Sequence, residues 1–202
     1  QKRISADMIS VWQKIFDSFG LNPIEFAREI KYIGGKNKII SNLDGKKSKV
    51  FLSMGDGELD EGQCWESFMF AAKYKLDNLI GFVDRNNIQI DGPTDVVMPL
   101  DPLADKFRAF NWNVIEINGN DMKQILSGFD KAKNYKGKPT VVICKTIPGK
   151  GVNFMERRFE WHGKTPNKEE AMEALRQICE DECRIKGLDS EKCKILLEQS
   201  GR

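Results

Sequence analysis

Gly55–Thr94 reads GDGELDEGQCWESFMFAAKYKLDNLIGFVDRNNIQIDGPT, and its punctuation decides the fold. The residues just before it, Lys49–Met54 (KVFLSM), form a short apolar run of strand type that stops at Gly55. Two glycines flanking Asp56 let the backbone turn tightly and approach a ligand closely. Glu61–Tyr74 then has helical spacing, with Trp65, Phe68, Met69 and Ala72 as the expected apolar stripe. Leu79–Asp84 (LIGFVD) is a second strand, followed at once by Asn86-Asn87. Strand, glycine turn, helix and strand in this order open a parallel sheet with crossover helices.

The alternation continues downstream. Leu103–Phe110 reads as a helix, Asn113–Ile117 as a strand, Met122–Lys133 as a helix and Thr140–Lys145 (TVVICK) as a buried strand. The expected fold is α/β, an open parallel sheet with helices on both faces, and such sheets bind ligands beyond the carboxyl ends of their strands. Residues 46–165 form this α/β domain. Residues 1–45 precede it with an amphipathic pattern of Met8, Val11, Trp12, Ile15, Phe16 and Phe19 that Gly20 stops. Residues 166–202 follow as a helical tail. There Asn167 and Glu170 form a cap pair, Met172, Leu175 and Ile178 an apolar face, and Asp189 or Ser190 caps a last helix through Leu197.

Composition narrows the classes. With 202 residues and 40% hydrophobic residues the chain can bury a core. Lys plus Arg is 32, Asp plus Glu 30, and the net charge of +2 gives no general field for nucleic acid or an acidic membrane. No apolar run approaches the ~20 residues of a membrane helix, and Gln1–Asp7 leads into no signal-peptide block. The sequence begins at Gln1 rather than Met, as a trimmed or incomplete chain does. Five cysteines, an odd number in an ordinary composition, read as free thiols in a reducing cytoplasm. Cys179, Cys183 and Cys193 are close in sequence but lack a fourth ligand, so helix packing is the better reading.

The chemistry sits at the two strand ends. The free amides of a helix start favour a phosphate group. Asp56 would repel that phosphate unless a cation lies between them. Asp56 and, about 30 residues on, Asn86 and the backbone carbonyls beside it are hard oxygen donors that suit magnesium or calcium. Gly-Asp-Gly alone is a common turn, and Asn-Asn alone a common loop. Following two neighbouring strands at this spacing, they describe a clamp for a metal-bound diphosphate.

Gly55-Asp56-Gly57 through Asn86 resembles the thiamine diphosphate fingerprint. The words GDGELDEGQCWE, KLDNLI, DRNNIQIDGPT, TIPGKG (Thr146–Gly151) and EWHGK (Glu160–Lys164) resemble the transketolase family in particular, over about Leu43 to Leu175. Deoxyxylulose-phosphate synthases and 2-oxo acid dehydrogenases share Gly-Asp-Gly but usually lack Ile90-Asp91-Gly92 in this form. The resemblance implies that Asp56, the Asn86 side chain and the Ile88 carbonyl hold Mg2+ (or Ca2+). Gly55, Gly57 and Glu58 surround the cofactor's diphosphate, with the Gly57 amide presented to it. Glu61 and Glu66 match acidic residues that form a carboxylate network across the family's subunit interface. His162, the only histidine, matches a residue near the diphosphate and the donor sugar, able to donate a hydrogen bond or move a proton. Lys150, with Lys145 in the same region after the last strand, is a candidate for anionic groups.

The length and helical tail resemble the N-terminal subunit of a split transketolase. The activity implied is two-carbon ketol transfer between sugar phosphates. The partner would be a C-terminal subunit with the pyrimidine-binding domain, assembled as a heterotetramer and placed in the cytoplasm. This chain departs from the family pattern upstream: the His-Pro-Gly-Gly, Ser-Lys-Gly-His and Gly-Ser-Leu-Gly words are missing, and no histidine precedes His162. Two alternatives therefore stand beside the main reading: a catalytically impaired or truncated homologue, and a split transketolase for an unusual sugar.

Overall fold

The computed structural model describes residues 48–187, so the 1–45 segment and the helix expected at 189–197 lie outside the described residues. Among the described residues the chain divides into two compact units. The first runs up to Arg85 and resumes with Asp101–Lys145; the second holds Asn86–Leu100 and the residues from Thr146 on. The expected 46–165 block contributes to both.

The first unit is built on a parallel four-stranded sheet in the order β1-β2-β6-β5. Its strands are β1 (Val50–Gly55), β2 (Leu79–Arg85), β5 (Asn113–Asn118) and β6 (Thr140–Lys145). All four fall where the alternation predicts, within a residue or so at each end. β2 and β6 are the central pair and are apolar almost throughout, as strands covered on both faces must be. One face packs against α4 (Met122–Asn134), whose Ile125, Phe129 and Ala132 meet Ile80, Phe82, Ile117, Val142 and Cys144. Gly128 lets α4 lie close: a Cβ there would stand 2.9 Å from the Ile117 side chain.

The other face carries α1 (Gly62–Lys73) and α3 (Leu103–Ala109). Phe68, Phe107 and Trp112 stack there with centroids 5.0–5.7 Å apart, and the Trp112 indole N–H donates to the Phe68 carbonyl at 3.0 Å. Gly81 of β2 faces this cluster, with a virtual Cβ only 2.9 Å from Met54 and 3.6 Å from Trp112. Helices thus cover both faces of the sheet, as expected. The stripe of α1 differs in detail. Phe68 and Ala71 are its buried residues, whereas Met69 is 55% exposed. The helix starts at Gly62, not Glu61, and its inner line runs Trp65–Phe68–Ala71–Ala72 with Met69 on the outer side.

The second unit contains a small antiparallel hairpin of β3 (Ile88–Gln89) and β4 (Gly92–Pro93), the short α2 (Thr94–Val97), a loop from Thr146 and the long α5 (Lys168–Lys186). α5 starts with the expected capping box: Asn167 accepts from the Glu170 amide, and Glu170 accepts from the Asn167 amide, each at 2.8 Å. Its covered residues are Ala174, Cys179 and Cys183, while Met172 and Ile178 are exposed, so the expected Met172–Leu175–Ile178 face is not the buried one. Small side chains line the inner side of α5, a choice that apolar periodicity, weighted to large residues, does not register. Cys64 and Cys144 are thiols, as expected. Cys183 is disulfide-bonded, against the free-thiol expectation. Pairing depends on a through-space approach that spacing does not encode. No helix among the described residues is long and apolar enough to cross a membrane.

Candidate functional site

In the first unit the parallel register pairs Gly55 with Asp84, so β1 and β2 end side by side. Gly55, Asp56 and Gly57 form the turn at the end of β1, and the 3-10 helix Gly57–Asp60 follows directly. Asp56 caps that turn: its Oδ1 accepts from the Gly57 amide at 2.9 Å. Its Oδ2 accepts from Arg85 Nη1 at 3.0 Å, and Arg85 Nη2 donates to Asp101 at 3.3 Å. Asp56 is only 1% exposed and Arg85 6%. Burial alone would lower the Arg85 pKa, but its hydrogen bonds and charge pairing with Asp56 and Asp101 outweigh burial and raise it. The buried Asp56 carboxylate at the carboxyl end of β1 is thus held by Arg85, where the sequence reading expects a divalent metal.

Around this turn Glu58 folds back, accepting from the Gly55 amide at 3.3 Å. Glu61 is exposed at the start of α1 without a side-chain capping bond, and accepts from the Gln63 side-chain Nε2 instead. Glu66 is exposed one turn further on. Trp65 fixes the helix to the turn by donating to the Leu59 carbonyl at 2.8 Å. Lys145 forms an ion pair with Glu116 of the adjacent strand at 2.9 Å, so neighbouring strands explain its position.

In the second unit the Asn86 carboxamide oxygen accepts from the Ile88 amide at 3.0 Å. Asn87 sits in the left-handed region at φ 64°, which Asn tolerates, and its carbonyl accepts from the buried Thr94 at 3.0 Å. Gly92, at φ 147°, closes the β3–β4 hairpin in a conformation that L side chains rarely adopt. The result is a rigid oxygen-lined turn: the carboxamide of Asn86 and the main chain at Ile88 are fixed by the same Asx bond. Beside it, the buried Nε2 of Gln89 finds no acceptor among the described residues. A spare N–H donor next to hard oxygen donors suits an anion brought in with its cation. Sequence reasoning passed over Gln89 and Arg85; the signal for Gln89 was its place one residue after Ile88.

The EWHGK word lies in the same unit. The Phe159–Trp161 turn packs beside β4, which brings the word close to the DRNNIQIDG hairpin although about 70 residues separate them in sequence. Trp161 is the anchor: Phe154 packs on it edge-on at 5.4 Å, and Lys164 lies 3.8 Å over its ring while pairing with Glu170 at 2.8 Å. His162 follows as the exposed C-cap of that turn, its amide donating to the Phe159 carbonyl at 2.8 Å. The TIPGKG loop is held by Gly149, at φ 66°, where a Cβ would stand 2.7 Å from the Met155 backbone. Lys150 is exposed at its tip.

Residues 36–184 match the family described as the transketolase, thiamine diphosphate binding domain. The chain belongs to this transketolase family. Its relatives include one of the subunits of the apulose-4-phosphate transketolase of Phocaeicola vulgatus, 38% identical over 159 residues, covering 79% of this chain and 56% of that protein. A 6-deoxy-6-sulfo-D-fructose transketolase subunit from a Clostridium species is 45% identical over 120 residues, covering 59% of this chain and 44% of that protein. Among solved structures, the transketolase of Campylobacter jejuni superposes with a TM-score of 0.61 at 28% identity, over 79% of this chain and 25% of that one. The chain spans about half the length of these two curated relatives. The α/β fold is thus that of the family's thiamine diphosphate-binding domain, and the Gly55–Thr94 stretch lies wholly within the matched region.

Proposed function

We propose that this chain is the diphosphate-binding subunit of a split transketolase, active only with a partner that carries the pyrimidine-binding domain. The observation that carries the reading is the family match over residues 36–184, with its relatives named as transketolase subunits. When bound, thiamine diphosphate supplies the carbanion chemistry that moves a two-carbon ketol unit. The chain's own residues bind and orient it. Asp56, Asn86 and the Ile88 carbonyl are oxygen donors of the kind magnesium prefers, or calcium in its place. The Gly57 amide, which donates to Asp56 Oδ1 in this structure, would turn to the diphosphate, with Gly55 and Glu58 shaping that turn. His162 donates a hydrogen bond to a phosphate or sugar oxygen, or carries a proton there. Glu61 and Glu66 are exposed, which supports the reading that they meet carboxylates or donors of another chain in a heterotetramer.

A second reading concerns the sugar. Two of the relatives are named for apulose 4-phosphate and 6-deoxy-6-sulfofructose, so a substrate outside the common pentose phosphates is favoured equally. A coupled assay of this chain mixed with a partner bearing the pyrimidine domain tests both readings. The mixture is expected to turn over one of xylulose 5-phosphate, apulose 4-phosphate or the sulfosugar, and neither chain to do so alone. Tight cofactor binding without turnover of any of them would instead identify a catalytically impaired homologue.

A further inference from the structure

Arg85 has no part in the roles above, yet it occupies the carboxylate on which they depend. Because β1 and β2 run parallel and end in register, Asp56 and Arg85 emerge next to one another. The two arms of the guanidinium are divided between two carboxylates: Nη1 lies 3.0 Å from buried Asp56, and Nη2 lies 3.3 Å from Asp101, whose side chain is 71% exposed. We propose that Arg85 is the resident counter-ion of Asp56, which it releases to an incoming divalent cation by shifting toward Asp101. The inference rests on Asp56 being a metal ligand.

The physical case has three parts. A carboxylate buried as deeply as Asp56 is costly without a cation, so the metal-free chain needs one of its own, and Arg85 supplies it. The same guanidinium opposes a divalent ion at that oxygen, because two positive charges would share one acceptor. The metal alone should therefore bind weakly, and the metal with its diphosphate much better, since the anion offsets the surplus charge. Asp101 makes the release inexpensive: it already accepts one arm and faces water, so the guanidinium keeps a partner as it moves outward.

Opposite signs are predicted for two substitutions. Mn2+ binding to the full chain, read from the free-ion signal by electron paramagnetic resonance, is measured with and without thiamine diphosphate. Arg85→Gln should tighten Mn2+ binding without thiamine diphosphate on the order of tenfold and lower the melting temperature of the metal-free chain. Asp101→Asn should weaken Mn2+ binding several-fold, because Arg85 then loses the exposed carboxylate that takes its second arm. Arg85→Gln that binds Mn2+ no more tightly than the unaltered chain overturns the inference. If circular dichroism shows that Arg85→Gln does not fold, the exposed Asp101→Asn decides, and unchanged or tighter binding there overturns it. Binding that Asp56→Asn abolishes but neither variant alters removes this inference alone. No Mn2+ binding by any of the chains, with or without thiamine diphosphate, removes the metal reading of Asp56 as well.

Discussion

At the scale of single residues the sheet separates groups by face. Asp84 and Arg85 are neighbours in sequence, but strand alternation turns Arg85 toward Asp56 and Asp84 toward Cys144. Burial, and then the charge of Asp84, pushes the Cys144 thiol up from 9.0 to about 12. A raised pKa favours the protonated form in the folded state. Its contribution is therefore fully present below pH about 9 and is lost as pH rises toward about 12. Unfolding free energies from denaturant titrations across that window should fall less steeply for Cys144→Val than for the unaltered chain, by a difference of up to about 4 kcal/mol. Equal slopes would show that burial does not raise the folded-state thiol above its ordinary value. Gln89 and Arg85 belong to the part of the site that sequence did not reveal. Only the tertiary fold buries the Arg85 side chain and the Nε2 of Gln89.

At the scale of elements most of the architecture was legible, because strands and helices here carry their periods cleanly. KVFLSM, LIGFVD and TVVICK are apolar runs bounded by turn signals, and all three are strands. The order β1-β2-β6-β5 was not legible, since pairing partners are chosen by packing against α1, α3 and α4 rather than by any one segment. The inward side of α5 was missed for a related reason: Ala174, Cys179 and Cys183 are small, and the larger Met172 and Ile178 face outward. Two substitutions test how elements are fixed. Asn167→Ala removes one arm of the capping box and should cost about 1 kcal/mol in denaturant unfolding; a change within error would mean that α5 is held by packing alone. Gly149→Ala places a Cβ 2.7 Å from the Met155 backbone at a left-handed position, where neither partner can yield cheaply. It should cost at least about 2 kcal/mol, more than Gly137→Ala, which shares the positive φ but meets nothing within 4 Å.

At the scale of the whole molecule, the chain spans about half the length of the two curated subunit relatives and a quarter of a solved transketolase. On the proposed reading, the activity belongs to an assembly and the cofactor grip to this chain. The family's thiamine diphosphate-binding domain is present with its strand-end turns built: Asp56 held at the end of β1, Asn86 locked in its Asx turn, and the EWHGK word folded beside β4. The measurement closest to the central claim is calorimetric titration of thiamine diphosphate, with and without Mg2+, into the full chain with its partner. Asp56→Asn is compared because it keeps the shape of the side chain and removes its charge. The account predicts saturable binding that requires Mg2+ and weakens at least about tenfold in Asp56→Asn. Binding that is indifferent to Mg2+, or equal in the substituted chain, would contradict it.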